Sequence, residues 1–517
     1  MSTTAPIHVV TPADPADPGD APRTGRRGWA ALVVLMLPTL LISIDNTVLS
    51  FALPTIARDL EPTAQAQLWI VDAYPLVLAG LLIAMGNLGD RVGRRRMLLI
   101  GSSGFAVISV LAAFAPTAEL LIAGRILMGL FGAMIMPSTL SMLRSIFLNR
   151  AQRRLAIAIW ATGFSLGSAI GPMVGGLLLQ HFFWGSVFLI AVPVLIPLLV
   201  LAPLLVPESR DPNPGPVDAI AIALSVLTIA PLVGAVKTLA TGGAPWLVAL
   251  LAVVGVVSGV LLVRRLLGSR APMLDVRLFR RGAFSGAILI NLASVIALVG
   301  LLFFVTQHLQ LVVGLDAFSS ALVLAPGVLA LIVFSFVAVR LVKRIRPGYV
   351  IAASVLAAGL GYLTLGLGGS GVSVLQIAIA FVLVGAGIGA AETLSNDLVI
   401  ASAPADKAGA AAGVSETAYE LGAVLGTTIL GGLVTALYRA NLELPDGLGA
   451  AQAGSARETL GGAIHVADGL PAELGHALRE AARAAFDLGV MSTAFAGAAL
   501  MLLAATLALV TLRRARA

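Results

Sequence analysis

Four acidic residues interrupt apolar runs: Asp45 in "LISIDNTVLS", Asp72 in "LWIVDAYPLV", and Glu416 and Glu420 in "GVSETAYELGAVLG". A carboxylate at the centre of a bilayer costs about 3 kcal/mol on insertion scales, so acids placed this way mark paths for ions or protons. Asp45 falls about 22 Å along its span at 1.5 Å per residue, near or just past the midplane. Glu416 and Glu420 lie four residues apart and share one helix face, with Tyr419 alongside. Two carboxylates that close in a low dielectric do not both hold their charge easily, which suits proton exchange. Trp69 and Tyr74 flank Asp72; for Trp69 the plain alternative is an aromatic belt at the membrane interface. Arg125, in "LLIAGRILMGLFGAMIMP", is a cation in an apolar run. It is a functional candidate by default, with snorkelling to the surface as the plain alternative. Glu392 and Asp397, in "GAAETLSNDLVI", are further in-membrane acids, Asp397 toward the cytoplasmic end.

The elements that must hold these residues follow from composition. The chain has 517 residues, 58% hydrophobic and 11% charged, with a mean hydropathy of +0.99. Soluble domains carry about 25% charged residues. The apolar runs reach helical spanning length, about 20 residues, rather than the alternating segments of about ten that a barrel needs. This is an all-α polytopic membrane protein with about fourteen spans. The absence of cysteine excludes thiolate metal sites, iron–sulfur clusters and disulfides, and the five histidines show no ligand spacing. No metal or cofactor is expected. No H-E-x-x-H zinc motif and no G-x-x-x-x-G-K-[ST] phosphate loop occurs, so neither an enzyme nor an ATP-driven pump is expected. A net charge of +7 reads as basic loops that orient a membrane protein, not as nucleic-acid binding.

Every second loop is basic: Arg91, Arg94, Arg95 and Arg96 follow the second span, and Arg150, Arg153 and Arg154 the fourth. These loops, and both termini, should face the cytoplasm. Residues 1–28 read as a disordered cytoplasmic tail and not as a signal peptide, and 513–517 as a second tail. Two six-helix bundles, 29–206 and 271–512, flank an inserted helix pair with linkers, 207–270. That pair holds few polar residues apart from Lys237 and reads as a lipid-facing spacer. Residues 439–482 should form an ordered helical loop on the outer face, with a helix capped by Pro471. Transporters built from such halves bind substrate between them near the midplane.

Three motifs resemble one family. "GNLGDRVGRRRMLLIG", residues 86–101, resembles the inner-loop signature of the major facilitator superfamily. There the loop latches the two halves by charge contacts, which by position implies Asp90, Arg91 and Arg94; Arg95 and Arg96 read as plain orienting charges. Arg125 with Gly129 matches the family's fourth-helix motif, whose Arg is associated with proton coupling. "GFSLGSAIGPMVGG" carries Gly163, Gly167, Gly171, Pro172, Gly175 and Gly176. Glycines four apart let a neighbouring helix approach closely, and Pro172 kinks the helix. The run resembles the motif typical of exporters in the superfamily, where it shapes the interface that rocks. "IDNTVLSFALP" resembles the first-helix signature of fourteen-span drug:proton antiporters, with Ser50 where Asn is usual. "WIVDAY" together with "ETAYELG" resembles the quaternary-ammonium and methyl-viologen exporters.

The resemblance implies a proton-coupled antiporter in the cytoplasmic membrane of a bacterium. It would act as a monomer and export lipophilic cations such as antiseptics and dyes, driven by the proton gradient. Asp45, Asp72, Glu416 and Glu420 would handle protons and cations. An exporter dedicated to one antibiotic or lipid-like metabolite is the alternative; the paired acids favour cations.

Overall fold

The computed structural model describes residues 24–210, 218–269, 276–369, 371–402 and 408–513. Most of the expected N-terminal tail, Arg270 in the linker and the C-terminal Arg514 and Arg516 lie outside the described residues. Seven helices come first: α1 (Arg26–Leu60), α2 (Ala64–Val92), α3 (Arg94–Ala113), α4 (Ala118–Ile146), α5 (Arg150–His181), and the short α6 (Ser186–Leu189) leading into α7 (Ala191–Leu205). The inserted pair is α8 (Ala219–Ala240) and α9 (Pro245–Gly268). Then follow α10 (Gly282–Gln307), α11 (Ala317–Leu341), α12 (Pro347–Gly366), α13 (Val374–Ser402), α14 (Ala408–Gly426) and α15 (Gly432–Asn441). Two short helices, α16 (Ala450–Glu458) and α17 (Leu460–Asp468), precede the long α18 (Ala472–Thr511).

Thirteen described segments are long and apolar enough to cross a membrane. Helix α5, 32 residues long, runs beside α1. The bundle fits the expected count of about fourteen. Polar caps start several of the helices: Thr63 accepts from the Ala66 N–H, Thr117 from Leu120, Asp218 from Ala221 and Asp316 from Ser319. Gly93 separates α2 from α3 at φ +122°, a conformation that side chains rarely adopt.

The first seven helices pack on one another, α1 against α5 and α7, α2 and α3 against α4. Helices α10 to α18 form a second group, and α5–α11 and α2–α14 join the two. Residues 439–482 hold α16, α17 and the first turns of α18, whose N-cap is Pro471. Two helices contain a widened π turn, His308–Val312 after α10 and Thr427–Gly431 between α14 and α15. Such turns free backbone groups and often mark functional sites.

The inserted pair differs from a simple spacer. Helix α9 presents Val253, Val256 and Val257 outward, as a lipid-facing helix should. Helix α8 instead docks on α2, the 427–431 turn and α15, with Lys237 fully buried. An intramembrane ammonium must face protein or a cavity, and its partner fixes how α8 sits.

Several polar contacts between the two groups lie at the end of the bundle opposite the arginine-rich loops. Gln67 Nε2 bonds Gln307 Oε1 at 3.3 Å, and Gln310 Nε2 donates to the Phe51 carbonyl at 3.1 Å. Glu458, the last residue of α16, accepts from the Ala64 N–H of α2 at 2.9 Å. His465 of α17 lies 3.0 Å from Glu61.

Candidate functional site

A cavity of about 1350 Å³, its open mouth included, lies between the two helix groups. Asn46, Thr47 and Phe51 line it from α1, Arg125 from α4, and Glu392 and Tyr419 from α13 and α14.

Asp45 is not a bare carboxylate. Its Oδ2 accepts from Arg125 Nη1 at 2.6 Å, with both side chains less than a tenth exposed. Arg125 also donates through Nε to the Ile70 carbonyl at 3.2 Å, and its guanidinium lies 4.6 Å from the centroid of the Tyr74 ring. The guanidinium therefore does not snorkel. A planar fork suits carboxylate and aromatic face together. Tyr74 is buried beneath it, edge-on to Phe105, and its hydroxyl has no hydrogen-bond partner among the described residues.

Asp72 belongs to a second pair. Its Oδ2 takes Lys237 Nζ at 2.9 Å and the Thr428 hydroxyl at 2.9 Å. Trp69 is not an interface belt residue: its ring lies 3.9 Å from Lys237 Nζ. One acidic residue of the first helix group thus meets a lysine of the inserted pair and a threonine of the second group.

The remaining acids have no such cation. Glu420 is fully buried beside Asn46 of α1 and interacts with Asp45 and Glu416. Glu416 is half-buried one turn away, Tyr419 lies between them in the electrostatic field of both, and Glu392 sits on the cavity wall. Among the described residues, no cationic side chain pairs with Glu392, Glu416 or Glu420. A buried carboxylate without a cation must take a proton or wait for a positively charged ligand. Asp397 is exposed at the arginine-rich end, outside the cavity.

The glycine run of α5 holds its own bundle together. A Cβ at Gly167 would stand 2.6 Å from the Leu40 carbonyl, one at Gly171 would strike the Thr47 hydroxyl, and one at Gly175 would strike Val48, all on α1. Gly163 also faces α1, through Met36. Only Gly176 of this run faces the other group, where a Cβ would stand 2.6 Å from Phe318 Cα of α11. Pro172 is buried on the cavity wall. So the rocking surface that the resemblance implies is touched at one glycine, and the rest seal α1 to α5.

At the arginine-rich end, Arg94 pairs with Asp90 at 2.8 Å and reaches the hydroxyls of Ser145 and Ser209. Arg95 is more than an orienting charge. Its N–H bonds Glu208 at 3.0 Å and its guanidinium reaches the Val206 carbonyl. These contacts of Asp90, Arg94 and Arg95 tie α2, α3 and α4 to the exit of α7, within the first helix group. Arg91 lies beside them, exposed.

Several partners escaped the sequence reading. Lys237 was visible as an isolated charge, and that was signal enough to give it a role. Thr428 and Asn46 carry no signal of their own. His308 lies 3.1 Å from Asp487, a buried acid–imidazole contact between the π turn after α10 and α18; neither residue stands in a motif.

Comparison with known proteins agrees with this architecture. The sequence model described as Major Facilitator Superfamily matches residues 35–427. The chain is 54% identical to the multidrug efflux pump LfrA of Mycolicibacterium smegmatis, over 95% of this chain and 98% of that protein. It is 35% identical to the methyl viologen resistance protein SmvA of Salmonella typhimurium, over 92% and 97%. Among solved structures, a bacterial homologue of the human lysosomal transporter Spinster, inward-facing and unoccupied, superposes with a TM-score of 0.64. That match has 18% identity and covers 95% of this chain and 98% of that one, a likeness of fold.

Proposed function

The chain belongs to the major facilitator superfamily, and from that premise we propose that it is a multidrug exporter that expels lipophilic cations in exchange for protons. Export of drugs is supported by the efflux-pump and resistance relatives. The observation that carries the rest is the set of buried acids around a cavity shared by both helix groups. Glu392, Glu416 and Glu420 lack a cation of their own among the described residues. A quaternary ammonium or dye cation supplies the missing charge, and its apolar body suits a cavity lined by Phe51, Leu302 and Phe381. Tyr419 adds an aromatic face. Protons arriving from the far side neutralise the acids and release the cation.

The protein sits in the cytoplasmic membrane of a bacterium with the arginine-rich loops inside. The structure, joined at the opposite end, then corresponds to a state closed to the outside. The test is dye transport in proteoliposomes holding the purified full chain. An imposed pH gradient should drive ethidium accumulation against its concentration gradient, and collapsing that gradient should abolish it. Equal accumulation with the gradient collapsed would remove proton coupling from the reading.

A further inference from the structure

Lys237 is completely buried in α8. Its ammonium has three donors and three neighbours: Asp72 Oδ2 at 2.9 Å, the Leu68 carbonyl at 3.0 Å and the Trp69 ring, 3.9 Å to the centroid. An anion, a carbonyl and an aromatic face are also what a lipophilic cation needs. Lys237 thus fills a site built for a cation. Asp72 sits on the α2 wall of the cavity. Helix α8 touches α2 on one side and the 427–431 turn and α15 on the other, so Lys237 stands where the two halves meet. Among the described residues, Asp72 and Lys237 are the charges that face each other; the Thr427 and Thr428 hydroxyls of the π turn are the further polar neighbours of Asp72.

The two buried ion pairs of this protein differ in one chemical respect. Asp45 is held by an arginine, which cannot be deprotonated in a protein. Asp72 is held by a lysine, and a buried lysine gives up its proton when the carboxylate that offsets its burial is taken by another cation. A guanidinium therefore has no proton to give up when a cation arrives, whereas the ammonium on Asp72 has one.

We propose that Lys237 is the resident cation of an exchange site at Asp72 and carries a proton of the transport cycle. The inference rests on the proton-coupled export reading. An incoming cation pairs with the Asp72 carboxylate, and the displaced ammonium gives one proton to water in the cavity and remains as a neutral amine. One positive charge enters and one leaves, so the site keeps its net charge. After the halves rock, a proton from the other side returns to the amine, and the ammonium retakes Asp72 and expels the cation. The structure holds the lysine on its carboxylate. The inserted pair is then a moving part of the coupling machinery.

The experiment counts protons. The full chain in lipid nanodiscs, in weak buffer with a pH indicator, is titrated with tetraphenylphosphonium, a permanent cation with no proton of its own. The parent should release protons on binding. Lys237→Arg keeps the charge but cannot release it, so it should give one proton fewer per bound cation and lose dye export. Should the larger guanidinium disturb the fold, the neutral pair Asp72→Asn/Lys237→Gln keeps the shape and should also release one fewer. No proton release by the parent, or the parent's number from both variants, would overturn the role of Lys237. In the second case, pH-driven ethidium accumulation by the parent would still stand, so the export reading survives independently.

Discussion

Arg125→Gln would leave the buried Asp45 carboxylate without its cation. Breaking a buried pair from one side costs about 3–5 kcal/mol. Asp45→Asn has the same consequence from the other side, because it strands the Arg125 guanidinium. Each single variant should therefore lose thermal stability as well as dye export. The double variant Asp45→Asn/Arg125→Gln should recover most of the melting temperature and none of the export, read by a thermal-shift assay beside efflux in cells. A stable Asp45→Asn single variant would show that the pair contributes little to the fold. The acids themselves were legible one by one, since each interrupts an apolar run. Their partners were not. Asp45 and Arg125 stand 80 positions apart, and Asp72 and Thr428 stand 356 apart. Hydropathy places a residue at a depth but leaves the rotation of one helix against another open, and pairing depends on that rotation.

At the scale of elements, the glycines of α5 separate two kinds of contact that one motif hides. Gly171→Leu should drive α1 from α5 and reduce the yield of folded protein, because the contact lies inside one bundle. Gly176→Leu meets Phe318 of α11 instead. It should leave tetraphenylphosphonium binding within about threefold of the parent while lowering transport by at least tenfold, since it obstructs closure at one end only. Binding and transport rates on the purified variants check this. The sequence marked a close approach of helices, and that was right; which helix approaches is a property of the packed bundle. The inserted pair offers a second test. Asp218 caps α8 and pairs with Arg265 of α9 at 2.7 Å, and that hydrogen bond, foremost, holds its carboxyl below its ordinary value. A lowered folded value means the contribution is complete above the unfolded value of about 4 and fades as pH falls through the folded one. Asp218→Ala should cost about 1 kcal/mol of cap stabilisation. It should speed hydrogen exchange in the first turn of α8 at neutral pH, and the two proteins should converge only in strong acid.

Over the whole molecule, the approximate number of spans was legible because length and hydropathy determine it. The contacts that hold one end shut were not, since they join loops and helix ends. Gln67 and Gln307 touch across that end at 3.3 Å, and the chain has no cysteine. A Gln67→Cys/Gln307→Cys variant places two thiols a short bridge apart, because the glutamines meet at their tips, and a disulfide-forming bis-methanethiosulfonate should span them. The bridge should stop dye export and a reductant should restore it; export that continues in the crosslinked protein would show that this end does not open.

Glu458 gives the same junction an energetic direction. It satisfies the Ala64 N–H at the start of α2, although it belongs to the opposite half of the chain. One turn of α2 is thus completed only while the halves meet. When they part, that amide must find water, a difference of about 1 kcal/mol for a typical hydrogen bond. At room temperature this corresponds to a ratio of about five between the two states. This one contact therefore tilts the balance toward the state joined at this end, and a glutamate far from the cavity contributes to the resting poise.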